Sequence, residues 1–208
     1  MKFILATHNK GKILEFRKLI SLPEIKIISM DDISRLRGLK IEEDGETFKD
    51  NAVKKAMIVA KGSGYPTIAD DSGLVVYALG GLPGVYSARF AGENASDLKN
   101  NLKLLKEMEG IEDRRAAFIC IIAVALPDGR IFTYEGKCEG IITKKLIGEK
   151  GFGYDPLFYY PPLNKTFAQM DMDEKNRISH RAKAIQNLKR DIPCILSYIT
   201  DLTQKFLS

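Results

Sequence analysis

The sequence predicts an α/β fold built on a mixed β-sheet. Residues 3–6 form a short apolar strand, and a polar loop leads from it into apolar residues at helical spacing within residues 11–20. Two longer apolar strands, residues 116–126 and 131–139, flank a P-D-G-R turn signal and predict an antiparallel hairpin. Strands joined by both helices and a hairpin argue against a purely parallel, doubly wound sheet.

The elements between these two units follow from apolar spacing and turn residues. A second helix that stops at Gly62 is predicted by the apolar positions Phe48, Ala52, Ala56 and Val59. Strands are predicted at residues 67–70 and 74–78, on either side of a polar break, and residues 80–84 form a Gly- and Pro-rich turn.

The second half of the chain alternates between regular elements and one long irregular stretch. Ser96 is a suitable N-cap for a helix whose apolar face is formed by Leu98, Leu102, Leu105 and Met108. A third strand is expected near residues 141–143, followed by an irregular, aromatic segment at 148–167 of the kind that often carries function. The chain closes with a helix starting near Ser179 and a last helix with the apolar stripe Ile195, Ile199, Leu202 and Phe206.

Length and composition favour one soluble α/β domain spanning residues 1–208. The 208-residue chain has no repeat and no linker, and a chain of this size buries about 70% of its unfolded surface. Its three cysteines lack C-x-x-C spacing, so they favour reduced thiols in the cytoplasm over disulfides or structural zinc. No signal peptide and no apolar run of membrane-spanning length is expected.

The charge balance favours a small anionic partner. The net charge is +5, but the lysines and arginines are spread along the chain without an aromatic-interleaved basic segment. A nucleotide fits this pattern at least as well as a nucleic acid does.

Asp70 and Asp71 lie at the break between two apolar runs, in A-D-D-S-G-L. Neighbouring side chains of a strand point to opposite faces, so one carboxylate is expected to face a given site while the other finds its own partners. Such a pair suits Mg²⁺ held together with substrate phosphates. The structural alternative is an ordinary strand-to-turn corner.

Two polar segments precede predicted helices. Thr7-His8-Asn9-Lys10-Gly11-Lys12 combines hydroxyl, amide and ammonium groups before the first helix, where free N–H groups can bind phosphate. The acidic residues 42–46 precede the second helix and could complete a set of oxygen ligands with the aspartate pair. The alternatives are a capped, solvated loop and simple complementation of the helix dipole.

Two further segments could contact a base. Gly151-Phe152-Gly153-Tyr154-Asp155-Pro156 offers glycines for close approach and aromatic rings for stacking, although a turn packed on its own core is equally compatible. Lys175-Asn176-Arg177-Ile178-Ser179-His180-Arg181 opens a helix with cationic side chains, which indicates an anion or base-edge contact rather than a catalytic histidine.

Taken in order with G-G-L-P-G-V-Y-S-A-R-F, these motifs closely resemble the inosine/xanthosine triphosphate pyrophosphatase family of Ham1-type enzymes. The resemblance spans nearly the whole chain. It implies an elongated mixed sheet flanked by helices, with two lobes and the active site in the cleft between them. It also implies a cytoplasmic homodimer that uses Mg²⁺ to hydrolyse ITP, dITP and XTP to the monophosphate and pyrophosphate.

The resemblance also assigns residues to roles. Glu43 and Asp71 match the metal-binding carboxylates, Asp71 is the expected general base, and Asp70 is a further ligand or a support. Substrate contacts are expected from Thr7, His8, Asn9, Lys10, Gly11, Lys12, Lys55, Ser72, Arg89, Phe152, Gly153, Tyr154, Asp155, Lys175, His180 and Arg181. Among these, His8 and Lys10 match variable positions of the family.

Two other functions remain compatible with the residues. A phosphatase would release orthophosphate from the same substrates, although a D-x-D nucleophile motif of the haloacid-dehalogenase type is missing. A nucleotide sensor or nucleic-acid-binding module would bind oligonucleotides in a salt-sensitive way without Mg²⁺-dependent hydrolysis.

Overall fold

The computed structural model describes residues 1–20 and 22–205. Its strands and helices are, in chain order, β1 (Lys2–Leu5), α1 (Lys10–Leu19), β2 (Lys26–Ser29), α2 (Phe48–Ser63), β3 (Thr67–Val76), α3 (Asp97–Glu107), β4 (Arg115–Ala125), β5 (Ile131–Ile142), β6 (Phe158–Tyr160), β7 (Lys165–Thr166), α4 (Met172–Ile178) and α5 (His180–Lys205). Within these residues the strands form one seven-stranded sheet in the order β2-β1-β3-β4-β5-β6-β7.

The predicted mixed α/β sheet is confirmed. β1 pairs in parallel with both β2 and β3, while every later pair of neighbours in the sheet is antiparallel. The hairpin of β4 and β5 closes through a turn in which Gly129 has a φ of +96°, a conformation that favours glycine.

The break predicted at Asp70 and Asp71 is wrong, because β3 runs through it as one strand. Asp70 lies opposite Ile122 and Asp71 opposite Ile121 in an uninterrupted ladder with β4. Both carboxylates find polar partners, so tertiary contacts overcome the low strand propensity of aspartate. The strand predicted near residues 141–143 is likewise the end of β5 rather than a separate element.

The C-terminal helices also differ from the prediction. α4 is a separate helix that ends at Ile178, and a ψ of 157° at Ser179 interrupts the helical backbone. The two helices predicted after Ser179 form the single helix α5, which contains Pro193. Phe206 of the predicted apolar stripe lies outside the described residues. β2 was not predicted.

Although α5 is 26 residues long, none of the helices in the described part of the chain is long and apolar enough to cross a membrane.

Three apolar clusters flank the sheet, and β3 connects them. Ile68 packs with α1 and α5 on one face, and Ala69 packs with α2 on the other face. Leu74 and Val76 belong to a third cluster with α3 and β6. Residues 70–73 therefore lie along β3 between the parts of the strand that belong to these three clusters.

The start of α5 is fixed by its close packing on Gly136 of β5. A Cβ atom at Gly136 would lie 2.0 Å from the carbonyl oxygen of His180 and 2.4 Å from the backbone nitrogen of Ala184. Only a residue without a Cβ atom allows the helix backbone to lie this close to the strand.

We predict that Gly136→Ala destabilises the protein, because backbone atoms of α5 must move away from β5. Overpacking of this kind costs about 1–3 kcal/mol, measured as the free energy of unfolding in urea. Thr133→Ala, at an exposed position of the same strand, is the matched control and should change stability by about 0.5 kcal/mol or less. Equal stability of the two variants would contradict the packing of α5 on Gly136.

Candidate active site

A cavity of about 320 Å³ opens beside the middle of β3. Its wall brings together most of the residues that the sequence singled out, although they come from segments far apart in the chain. These are Thr7, His8, Asn9, Lys12, Glu43, Lys55, Asp71, Ser72, Phe152, Gly153, Tyr154, Asp155, Lys175, His180 and Arg181.

The loop before α1 forms one side of the cavity. Asn9 is the N-cap of α1, and its side-chain oxygen accepts a hydrogen bond from the backbone nitrogen of Lys12 at 3.0 Å. Thr7 Oγ1 accepts from the nitrogen of Asn9 at 3.2 Å. The first turn of α1 and the Lys12 ammonium thus give this side positive potential, which favours an anion. His8, which also lines the cavity, has Nδ1 at 2.8 Å from Asp31 Oδ1.

Three residues expected to contact substrate do not line the cavity, namely Lys10, Gly11 and Arg89. Lys10 is exposed at the start of α1. Gly11 supports the wall from behind, since a Cβ atom there would lie 2.8 Å from Cδ1 of Phe152. Arg89 donates to the backbone carbonyl of Glu43 at 2.8 Å and so holds the segment that carries this carboxylate.

Asp71 and Glu43 form a carboxylate pair around Lys55. The Lys55 ammonium contacts Glu43 Oε1, lies 4.0 Å from Asp71 Oδ1, and donates to the carbonyl of Asp70 at 2.7 Å. Asn51 donates to Asp71 Oδ2 at 3.0 Å. Burial raises the pKa of Asp71, and the charge of Glu43 adds to this effect, which together exceed the opposing influence of Lys55. Asp71 is therefore a stronger base than an exposed aspartate.

Asp70 points to the opposite face of β3 and is fully buried. Its Oδ2 lies 3.1 Å from Lys12 Nζ and 3.0 Å from a terminal nitrogen of Arg181. Burial raises the pKa of Asp70, but Lys12 and Arg181 outweigh this and hold the pKa well below its usual range. Asp70 acts as a support for two cations of the cavity wall.

Glu15 of α1 extends this buried charge network, although nothing in the sequence pattern marked it. Its carboxylate contacts Arg181 and lies 3.1 Å from Lys175 Nζ, and Lys175 also lies 2.7 Å from Asp155 Oδ2. Burial raises the pKa of Glu15, but Arg181 and Lys175 reverse this effect and lower it. In this network the carboxylates of Glu15 and Asp155 are therefore paired with the cations of Arg181 and Lys175.

Phe152 and His180 are two of the aromatic residues in the wall, which also include Phe118 and Tyr154. Lys175 Nζ lies 4.7 Å from the centroid of the Phe152 ring, and the ring of His180 stacks on Phe118 with centroids 4.7 Å apart. Burial lowers the pKa of His180 well below its usual value, and Arg181 adds to this, so the imidazole is neutral. Its Nδ1 is buried without a hydrogen-bond partner among the described residues.

Sequence reasoning missed three residues of this region besides Glu15. Asn51 holds Asp71, while Asp97 and Asn101 of α3 contact the loop that carries Phe152. Asparagine and aspartate in the first turns of helices are so common that their type and position offered no signal.

The carboxylate oxygens of the cavity fit a hard divalent cation that takes its remaining ligands from a bound anion. Glu43 and Asp71 offer carboxylate oxygens to the cavity. Within the described residues, no three His, Cys, Asp or Glu side chains cluster closely enough to hold a metal ion. Two carboxylates with further oxygens from a substrate phosphate are the arrangement that Mg²⁺ commonly adopts.

Comparisons with known proteins agree with this geometry. The family model of the Ham1 family matches residues 3–191. A dITP/XTP pyrophosphatase of Desulforamulus reducens is 53% identical over 89% of this chain and 92% of its own length. That of Listeria monocytogenes serotype 4b is 47% identical over 96% and 98%, respectively. The solved structure of the Staphylococcus aureus Ham1 protein has a TM-score of 0.84 and 42% identity over 93% of this chain and 98% of that one.

We predict that Glu15→Gln destabilises the protein near neutral pH, because Arg181 and Lys175 lose a buried anionic partner. The loss should be about 1–3 kcal/mol in urea unfolding. The pKa of Glu15 in the folded state lies below its usual 4.5. The ionised carboxylate therefore contributes its full stabilisation of the folded state at pH values above 4.5, and this stabilisation is lost as the pH falls through the lowered pKa. The difference between wild type and variant should therefore shrink on acidification.

Asp113→Asn is the matched control, because it removes a carboxylate from an exposed pair with Arg115. Exposed pairs contribute little to stability. If Asp113→Asn lowered the free energy of unfolding as much as Glu15→Gln does, the larger contribution expected of the buried network would be contradicted.

Proposed function

The chain belongs to the Ham1 family, and we propose that it hydrolyses the deaminated purine nucleoside triphosphates ITP, dITP and XTP to monophosphate and pyrophosphate. The observation that carries this proposal is that one cavity combines an anion-binding helix start, a carboxylate pair and an aromatic ring. These three parts match the phosphates, the reacting centre and the base of such a substrate. Hydrolysis would remove these nucleotides from the pool.

In this proposal the loop before α1 binds the phosphate chain. Lys12 and Lys55 both line the cavity, and the positive end of the α1 dipole adds to their charge. Their fixed positions stabilise the charge that develops as the bond between the α- and β-phosphates breaks. Asp70 holds Lys12 in place from beneath.

Asp71 is the proposed general base. It accepts a proton from a water molecule as the water oxygen bonds to phosphorus, and pyrophosphate leaves. Asn51 and Lys55 fix the orientation of its carboxylate. Mg²⁺ held by Glu43 and Asp71 would neutralise charge on the phosphate oxygens and favour attack.

Base selection is proposed to rest on Phe152, His180 and Arg181. The ring of Phe152 offers a stacking face, and base stacking on an aromatic ring contributes about 1–3 kcal/mol. Hypoxanthine and xanthine present a 6-keto acceptor where adenine has an amino donor. A protein donor such as Arg181 would therefore bond to the keto oxygen of ITP or XTP but would face the amino group of ATP without a hydrogen bond. GTP shares the keto group, so its rejection requires discrimination of the amino group at position 2.

We further propose a homodimer in the cytoplasm that does not act on nucleic acid. Large apolar side chains remain exposed after β3, namely Leu82 and Tyr86, and could be covered by a second copy. The described cysteines are unpaired, as a reducing compartment favours. A solution mass of about twice the 23.3 kDa of one chain would support the dimer.

The deciding experiment is incubation of the purified protein with ITP, XTP, GTP and ATP, with Mg²⁺ or with a chelator, followed by identification of the phosphorus-containing products. Pyrophosphate and monophosphate, formed mainly from ITP and XTP and only with the metal, support the proposal. Orthophosphate would indicate a phosphatase instead. Salt-sensitive oligonucleotide binding without hydrolysis would indicate a binding module.

We predict that Asp71→Asn lowers kcat for ITP by about 100-fold or more, because the amide cannot accept the proton of the attacking water. The KM should change by about threefold or less, since the amide keeps the size and much of the hydrogen bonding of the carboxylate. Steady-state kinetics with ITP gives both values, and nearly full activity would refute the role of Asp71.

Lys12→Ala is the contrasting variant in the same cavity. It removes a proposed phosphate contact, so its main effect should be a rise in KM for ITP. If both variants lowered kcat alone, the division between phosphate binding and proton transfer would be wrong.

A further inference from the structure

Both backbone polar groups of Gly153, the residue directly after Phe152, bond to side chains of α3. Its N–H donates to Asp97 Oδ2 at 2.6 Å. Its carbonyl oxygen accepts from Asn101 Nδ2 at 2.8 Å. Both partners come from one helix, more than fifty residues earlier in the chain.

Asn101 is the better fixed of the two side chains, because Asp97 is exposed at the start of α3 and also lines the cavity. Asp97 and Asn101 are four residues apart and so share one face of α3. Asn101 is 2% exposed, and its Nδ2 also donates to the carbonyl of Asp97 at 2.8 Å. Its neighbour Asn100 accepts from the nitrogen of Ala91 at 2.8 Å and so anchors the helix to the segment before it.

The loop around Phe152 depends on such a contact for a single conformation. Gly151 and Gly153 flank Phe152 with φ of +78° and +62°, and glycine reaches these values easily but does not favour them over others. Other anchors of the loop include the Phe152 nitrogen, which donates to Asp155 Oδ2 at 3.0 Å, the Phe152 carbonyl, which accepts from the Asp155 nitrogen at 3.3 Å, and the Tyr154 hydroxyl, which donates to the Ser87 carbonyl at 2.9 Å. None of these three bonds involves a backbone group of Gly153.

We propose that Asp97 and Asn101 are positioning residues for base recognition. They hold the backbone N–H and carbonyl of Gly153 and so orient the Phe152 ring for stacking, while they take no part in phosphate binding or proton transfer. This inference rests on the proposed function, because it assumes that the base lies on Phe152. In this inference the site has two sides: α3 positions the side that binds the base, and α1 positions the side that binds the phosphates.

The first test compares Asp97→Ala and Asp97→Asn with the wild type. Asp97→Ala should raise KM for ITP about tenfold, the effect of losing most of one stacking contact, with a smaller change in kcat. Inhibition by tripolyphosphate, which lacks a base, should stay unchanged. Asp97→Asn should recover much of the loss, because its amide oxygen can still accept from the Gly153 N–H.

Hydrogen exchange tests the positioning directly and does not depend on turnover. Amide exchange within residues 151–155 should become faster in Asp97→Ala than in the wild type. In a Phe152→Ala background, Asp97→Ala should cause no further rise in KM, because the ring that it orients is gone.

Ser96→Ala is the matched control for mere weakening of α3. Ser96 caps the helix by accepting from the nitrogen of Lys99 and does not contact the loop. This variant should lower the melting temperature without changing the KM for ITP or exchange in the loop.

The outcomes separate this inference from the function on which it rests. If the wild type does not hydrolyse ITP, the proposed function is refuted. If the wild type is active but Asp97→Ala leaves KM unchanged, or weakens tripolyphosphate equally, the positioning role alone is refuted. Unchanged exchange within the loop would refute it as well.

Discussion

The buried pairing of Asp70 with Arg181 and Lys12 is the interaction on which the candidate site depends. A fully buried carboxylate is costly unless cations and hydrogen bonds compensate it, and here both cations also line the cavity. The pairing joins β3 to the starts of α1 and α5. Glu15 pairs with Arg181 as a second carboxylate, which allows several charged groups to remain together in a buried position.

The alternation of side chains along β3 divides the work between two neighbouring aspartates. Asp70 points into the charge network and is held ionised, whereas Asp71 points into the cavity and has a raised pKa. One supports cations and the other is suited to accept a proton. The same residue type thus performs a structural and a chemical role because its surroundings differ on the two faces of the strand.

Much of the fold was predictable from local pattern, and the errors share one cause. The hairpin of β4 and β5, the mixed sheet and α2 follow from apolar spacing and turn residues, which act within a few residues of one another. The break predicted at Asp70 failed because its carboxylate is neutralised by Arg181, 111 residues away. The separation of α4 from α5 and the continuity of β5 depend on packing in the same way.

The sequence by itself determined the family resemblance, the fold class and the residue types from which the cavity is built. Only the tertiary structure decided which of them meet: it places Lys10, Gly11 and Arg89 outside the cavity wall and brings Glu15 beneath it. The physical reason is that motifs report residue identity and local spacing, whereas electrostatic balance depends on distance in space. Glu15 and Arg181 are 166 residues apart in the chain, and only the folded sheet brings their charges together.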